Sequence, residues 1–175
     1  MKPKILFILH LPPPIHGAAM MGKYIQESEL VNSSFDCFCI NLATAGSLSD
    51  IGHISLKKLL KYFFLLKHIS HVVREIRPEL VYITPNAGGK AFFKDFIVVQ
   101  MLKSMGCKVI AHYHNKGVSV YQSKWVYNFF YKRFFSNLKV ILLAENLYKD
   151  IAKYVKREDV YICPNGIPSS CKEEM

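Results

Sequence analysis

No apolar run in this 175-residue sequence reaches the roughly 18–20 residues that a helix needs to cross a bilayer. The first apolar segment, Ile5 to Leu9, follows Lys2 and Lys4 and runs straight into prolines. It is too short for the apolar centre of a secretory leader, which predicts a chain kept in the cytoplasm. The five cysteines are odd in number and include no C-x-x-C pair: Cys37 and Cys39 lie two apart, and Cys107, Cys163 and Cys171 are scattered. That pattern predicts buried, reduced thiols and argues against a disulfide framework or a zinc site. No G-x-G-x-x-G follows the first strand-like run, and the second ends at Asn41 with no acidic residue, which argues against a dinucleotide oxidoreductase. The P-loop pattern and internal repeats are absent too. Carboxylates are scarce: 13 Asp and Glu face 23 Lys and Arg, for a net charge of +10 with histidines neutral. Such a surface seeks phosphate, whether in nucleic acid, anionic lipid headgroups or a nucleotide, and composition does not choose among them.

Against these absences stands a regular alternation. Strand-length apolar runs recur at Ile5–Leu9, Phe35–Leu42, Leu80–Thr84, Val109–Tyr113, Val140–Ala144 and Val160–Cys163. Helical periodicity fills the gaps near 18–30, 55–76, 90–105, 123–136 and 146–156. The chain is long enough for one domain that buries about 70% of its unfolded surface, and its 51% hydrophobic content fits a globular protein. Strands alternating with helices predict an α/β fold, a doubly wound parallel sheet of about six strands flanked by helices. Right-handed crossovers place ligands outside the carboxyl ends of those strands. Ala43 to Gly52, small and polar, reads as a mobile loop.

The chemistry-bearing residues fall at those strand ends. After the first strand come His10, Leu11, Pro12-Pro13-Pro14, Ile15, His16, Gly17 and Ala18. Proline cannot continue a sheet ladder, so the strand ends by Leu11. Gly17 lacks a Cβ and stands at the mouth of a helix, whose free N–H groups favour an anion by about 0.3–1 kcal/mol. Two readings stand: a phosphate site, or an ordinary β–α connection. The fourth strand ends His112-Tyr113-His114-Asn115-Lys116-Gly117, with both histidines on one side by strand alternation. They read either as a proton-handling or ligand-contacting pair or as polar residues closing a strand. As metal ligands they lack an obvious third member, His10 and His16 being the candidates. The third strand ends in Thr84-Pro85-Asn86-Ala87-Gly88-Gly89-Lys90, which reads either as the lining of an acceptor cleft or as a tight loop.

Two helical segments are both basic and apolar. Along Leu56 to His68, a 100° advance per residue puts Leu59, Tyr62, Leu66, Ile69 and Val73 on one face, the expected core side. Lys57, Lys61 and His68 share the other face with Leu60 and Phe64, a pattern for a helix lying on a membrane surface or for a solvated face whose lysine stems cover Phe64. Lys124 to Phe135 interleaves aromatics with basic residues as a base-stacking surface does, but the aromatics recur at helical spacing and read mainly as core.

Taken together, four elements resemble the N-terminal half of a family 4 glycosyltransferase of the GT-B fold: Pro12-Pro13-Pro14-Ile15-His16-Gly17-Ala18-Ala19, Val109 to Asn115, Val140 to Ile151, and Pro164-Asn165-Gly166-Ile167. They occur in the family's order and cover nearly the whole chain. The resemblance implies a single Rossmann-like, acceptor-side domain over 1–175 of a retaining enzyme of the hexosyltransferase type. Such an enzyme moves a sugar from a nucleotide-sugar donor to a glycan or lipid-linked glycan, as in polysaccharide biosynthesis for a cell envelope. It implies that His16, Gly17 and Ala18 face the donor diphosphate and that His114 is the catalytic-site histidine beside the transferred sugar. His112, Asn115, Asn86, Gly88 and Glu145 are the candidates for lining the acceptor cleft. No cofactor and no metal are expected, and no nucleic acid. His112 stands where relatives often carry a small polar residue, and Ala144 where they usually carry serine, so no hydroxyl contact carries over there. The E-x-x-x-x-x-x-x-E element of the donor domain is missing from the 175 residues. The expectation is half of an enzyme, inactive alone: an excised domain, a truncated product or one subunit of a split transferase. It would be cytoplasmic or peripheral at the inner membrane face, with Lys57, Lys61 and Phe64 touching the membrane. A non-catalytic membrane-recruitment subunit is the alternative.

Overall fold

A computed structural model describes residues 2–13, 15, 17–42 and 56–166. The loop expected at 43–52, His16 and Ile167 lie outside them. Six strands form one all-parallel sheet: β1 (Lys4–Leu9), β2 (Asp36–Asn41), β3 (Leu80–Ile83), β4 (Val109–Tyr113), β5 (Lys139–Leu142) and β6 (Val160–Ile162). The order across it is β2-β1-β3-β4-β5-β6, so the chain reverses direction once, after β2, and the fold is Rossmann-like and doubly wound. Every expected strand is present, each within three residues of its expected ends.

The helices are α1 (Gly17–Glu27), α2 (Glu29–Ser34), α3 (Leu56–Ile76), α4 (Gly89–Ser104), α5 (Val118–Tyr121), α6 (Trp125–Phe135) and α7 (Tyr148–Ile151). Three differences from expectation have local causes. The helix expected at 18–30 is broken at Ser28, whose hydroxyl caps α2 by accepting from the Val31 N–H at 3.4 Å. The helix expected at 146–156 shrinks to the one-turn α7 flanked by 3-10 turns at Glu145–Leu147 and Arg157–Asp159. The short α5 had no periodic signal of its own. α4 stops where expected: Gly106, at φ 78°, closes it with its N–H on the Lys103 carbonyl.

Strand alternation sorts the core into two layers. Leu6 and Ile8, Val81 and Ile83, and Ala111 and Tyr113 point to one face, where α3, α4, α6 and α7 cover them with Ile69, Phe92, Val98, Tyr131, Phe134 and Ile151. Ile5, Phe7, Leu9 and Tyr82 point to the other, where Ile25 of α1 and Val31 of α2 pack. The second cover is the smaller one: Ile110 and Ile141 on that face are only partly buried, and Lys139 and Tyr161 are exposed. The register Tyr82↔Ile110 and His112↔Ile141 puts His112 on this second face, near its carboxyl edge.

The cysteine expectation needs correcting. Cys37, Cys39 and Cys107 are free and half-buried, but Cys163, also free, is exposed, because it follows the edge strand β6.

Candidate ligand-binding site at the carboxyl edge of the sheet

His112 of β4 and His114, one residue past its end, meet as strand alternation predicts, with ring centroids 4.2 Å apart. His112 is 5% exposed. Its Nδ1 is hydrogen-bonded to the Tyr82 hydroxyl across the β3–β4 pairing, and the two rings stand edge to face at 5.8 Å. Its Nε2 and both ring nitrogens of His114 are buried and make no well-formed hydrogen bond, but the Cys163 backbone approaches the His112 ring and the Asn165 side chain that of His114. Burial pushes the His112 imidazole from its usual 6.5 down to about 3, and the neighbouring His114 pushes the same way, against a hydrogen bond to the Cys163 backbone. Burial also lowers His114, with Asn165 partly offsetting it. Both rings are therefore neutral at physiological pH, each with one N–H donor and one acceptor nitrogen. That suits a hydroxyl-rich ligand better than a phosphate, whose charge calls for a cation. Lys116, two residues on, is exposed.

The chain beyond β6 returns to this point. Cys163 lies near Tyr82 and His112, and Asn165 near His114, so segment 163–166 borders the histidine pair. On the β1 side, the His10 N–H and Nδ1 both lie 3.4 Å from the Thr84 hydroxyl. β1, β3 and β4, adjacent in the sheet, thus each bring a polar side chain to one edge.

Gly17 begins α1 as expected and is exposed; a Cβ there would meet nothing within 4 Å. Ala18 behind it is half-buried. In α1 the glycine that carries a packing load is Gly22, five residues on, where a Cβ would overlap the His10 carbonyl oxygen. It lets α1 press against the end of β1, and neither the turn motif nor the spacing singled it out.

The other cleft-lining candidates are engaged within the chain. Asn86 is committed: its backbone N–H and side-chain amide both donate to Asp95 Oδ2 at 2.8 Å. Asn115 accepts from the Ala87 N–H at 3.1 Å, and the Tyr131 hydroxyl donates to the Ala87 carbonyl at 2.6 Å. Gly88 is enclosed by the Tyr121 ring, which a Cβ would overlap. The β3–α4 loop is thereby pinned from three directions and forms a rigid wall. Glu145 is exposed and held by Arg157, whose Nε and Nη2 donate to its two oxygens at 2.9 and 2.7 Å.

Asp95 and Asp150 did not stand out in the sequence. Asp95 is fully buried, and burial raises its carboxyl against the opposing effects of Lys94 and Asn86; its Oδ1 has no partner. Its signal was present, an acidic residue inside the apolar run Phe92 to Val99 on the core side of the helical period. Asp150 accepts from the N–H groups of Gly117 and Val118 at 2.9 and 3.0 Å, and from the N–H and hydroxyl of Ser119 at 3.0 and 2.5 Å. It anchors the loop that follows His114, with Gly117 at φ 147°, and no local pattern announces it.

Among the described residues no group of three or more His, Cys, Asp or Glu side chains is arranged to hold a metal ion, so the histidine pair has no third ligand there. At the opposite edge of the sheet a groove of about 530 Å³ is lined by Gln100, Lys103, Cys107, Lys132, Arg133 and Asn137. Lys103 is already engaged, donating to the carbonyls that end α6: Arg133 at 3.1 Å, and Phe134 and Ser136 at 2.6 Å.

On α3 the side chain of Lys57 lies outside the described residues, Lys61 is exposed, and Phe64 is 64% exposed. Leu59, expected in the core, is 56% exposed. At 100° per residue it lies about 80° from Ile69 but about 40° from Val73, so its exposure reflects its place in the first turn of α3 and not its face. Among the described residues no helix is long and apolar enough to cross a membrane. Compared with protein-family models, with curated proteins and with solved structures, the chain matches none.

Proposed function

We propose that residues 1–175 form the acceptor-side half of a retaining glycosyltransferase, binding a glycan or lipid-linked glycan beside a nucleotide-sugar donor. The observation that carries this reading is the neutral His112–His114 pair at the carboxyl edge of a doubly wound sheet, bordered by Cys163 and Asn165. Neutral imidazoles exchange hydrogen bonds with sugar hydroxyls without the desolvation of a full charge. The sequence resemblance given above points the same way.

In this reading His114 orients the reacting sugar as the catalytic-site histidine, while His112, held by Tyr82, fixes the ring against which His114 packs. Gly17, open to solvent at the start of α1, offers N–H groups to the donor diphosphate and stabilises developing negative charge on the leaving group. The pinned β3–α4 loop supplies one wall of the acceptor cleft. No metal is assigned. In such an enzyme the donor is held mainly by the other half, so residues 1–175 by themselves transfer no sugar.

The test is a titration of the chain with saccharide fragments and nucleotide sugars, followed by NMR of the histidine rings, alongside a transfer assay. Saccharides are expected to shift the His114 ring resonances, and His114→Ala to abolish binding without unfolding the chain. Histidine signals indifferent to every saccharide would end the acceptor assignment. Robust transfer by the chain alone would end the half-enzyme assignment.

A further inference from the structure

Helices α3, α4 and α6 lie side by side on the better-covered face: α4 and α6 connect neighbouring strands, and α3 crosses over β1 on its way from β2 to β3. The Tyr62 hydroxyl ties α3 to the Lys94 carbonyl at 2.6 Å, and Phe96 of α4 meets Phe130 of α6 at 4.8 Å between ring centroids. Their outward surface is unusual in two respects. Large apolar side chains stand in solvent: Leu60, Phe63 and Phe64 on α3, Ile97 on α4, and Trp125 and Phe129 on α6, with Trp125 at 80% exposure. The charge is also nearly all of one sign. The three helices carry ten Lys and Arg, five on α3, three on α4 and two on α6, against Glu75 and Asp95. Asp95 is buried, which leaves Glu75 as their one outward carboxylate.

The two features interlock. Lys67 Nζ sits 4.8 Å from the centre of the Phe63 ring, and the Arg133 guanidinium 5.9 Å from that of Phe129. Apolar groups flanked by cations match the chemistry of an anionic bilayer surface, where rings enter the acyl boundary while ammonium and guanidinium groups meet headgroup phosphates. Aliphatic Leu60 and Ile97 offer nothing to a nucleic-acid base to stack on. The placement adds an orientation. In parallel β–α units the helices run against the strands, so their N-terminal halves lie at the carboxyl edge of the sheet. Leu60, Phe63 and Phe64 are in the first half of α3, and Trp125 and Phe129 in the first half of α6. The apolar groups therefore gather at the edge that carries the histidine pair.

We propose that the outward face of α3, α4 and α6 docks on an anionic bilayer, with the carboxyl edge of the sheet bordering the lipid. This does not rest on sugar transfer: it stands on exposure and charge alone. Trp125, the single tryptophan of the chain, is a native reporter. The experiment mixes the whole chain with phosphatidylcholine vesicles, with and without phosphatidylglycerol, and reads flotation, tryptophan emission and quenching by brominated lipid.

Binding to the anionic vesicles, weakened by salt, is expected, with a blue shift and quenching of Trp125. Phe63→Ser with Phe64→Ser should weaken binding about tenfold or more, and Lys61→Gln or Lys67→Gln about fivefold each. All four positions are exposed, so the variants should keep the wild-type circular dichroism. Lys23→Gln and Lys139→Gln, on the second face, should leave binding unchanged. The proposal is overturned by any of several results. These are no vesicle binding, binding with Trp125 emission unmoved, equal loss in the second-face variants, RNA binding without vesicle binding, or a lipid-free, concentration-dependent blue shift that assigns the face to a second copy of the chain.

Discussion

Lowering the pH from 7 to 5 should cost this fold stability through His112 in particular. The folded-state value near 3 lies below the ordinary 6.5, so the fold favours the neutral ring. The corresponding stability is present above pH 6.5 and is lost progressively as the pH falls toward 3. At pH 5 an unfolded chain has protonated nearly all of this histidine while the folded chain has not. Linkage then gives a loss of about 2 kcal/mol relative to pH 7 for this one group. In a chain of this size that corresponds to a drop of roughly 4–8 °C in Tm. His114 is shifted in the same direction and adds to the loss. Urea unfolding of wild type and His112→Gln, each at pH 7 and pH 5, isolates the His112 contribution. The variant should be less stable at pH 7, since Tyr82 loses its partner, but should show a pH difference smaller by about 2 kcal/mol. An identical pH difference in the two proteins would refute a buried, neutral His112.

Asp150→Ala removes an acceptor of four hydrogen bonds at the loop after His114, and should cost about 2–3 kcal/mol in urea denaturation at neutral pH. Burial alone would raise the Asp150 carboxyl, but hydrogen bonds from the Ser119 hydroxyl and the Gly117, Ser119 and Val118 N–H groups outweigh it and hold it below the usual 3.8. Its contribution is therefore present above pH 4 and fades as acid protonates it, so the gap between wild type and Asp150→Ala should close in strong acid; a gap unchanged there counts against the assignment. Gly22→Ala and Gly17→Ala should diverge. The first forces a Cβ into the His10 carbonyl and should destabilise by about 2 kcal/mol or more despite better helix propensity, whereas the second meets open space and should stay within about 0.5 kcal/mol of wild type, by thermal melts. Lys103→Met strips the C-terminal carbonyls of α6 of their ammonium donor and should lower stability by about 1–3 kcal/mol, with hydrogen exchange rising first in the last turn of α6.

The alternation of apolar runs with helical periods was enough to predict the six strands, because parallel strands buried on both faces must be continuously apolar and their crossovers must be helical. The two breaks in that reading are local. Ser28 divides one helix by capping the next, and α7 is too short to show a period. Within the site, the His112–His114 pairing followed from the two-residue repeat of a strand. Whether Asn86, Asn115 and Gly88 face a ligand was not legible. Their side chains or backbone are engaged by Asp95, Ala87 and Tyr121, from residues 9, 28 and 33 positions away.

What the sequence determined by itself is the order of strands and helices, the basic balance, and the residues that end each strand. Those follow from propensity and period, which act over a few neighbouring residues. The tertiary structure decided how those residues are used. Only the register of β3 against β4 gives His112 the Tyr82 hydroxyl and a buried, neutral ring, and only the side-by-side packing of α3, α4 and α6 turns three separate basic segments into one face. Burial and charge alignment are sums over contacts distant in the chain, and they exist only once the sheet has set its strand order.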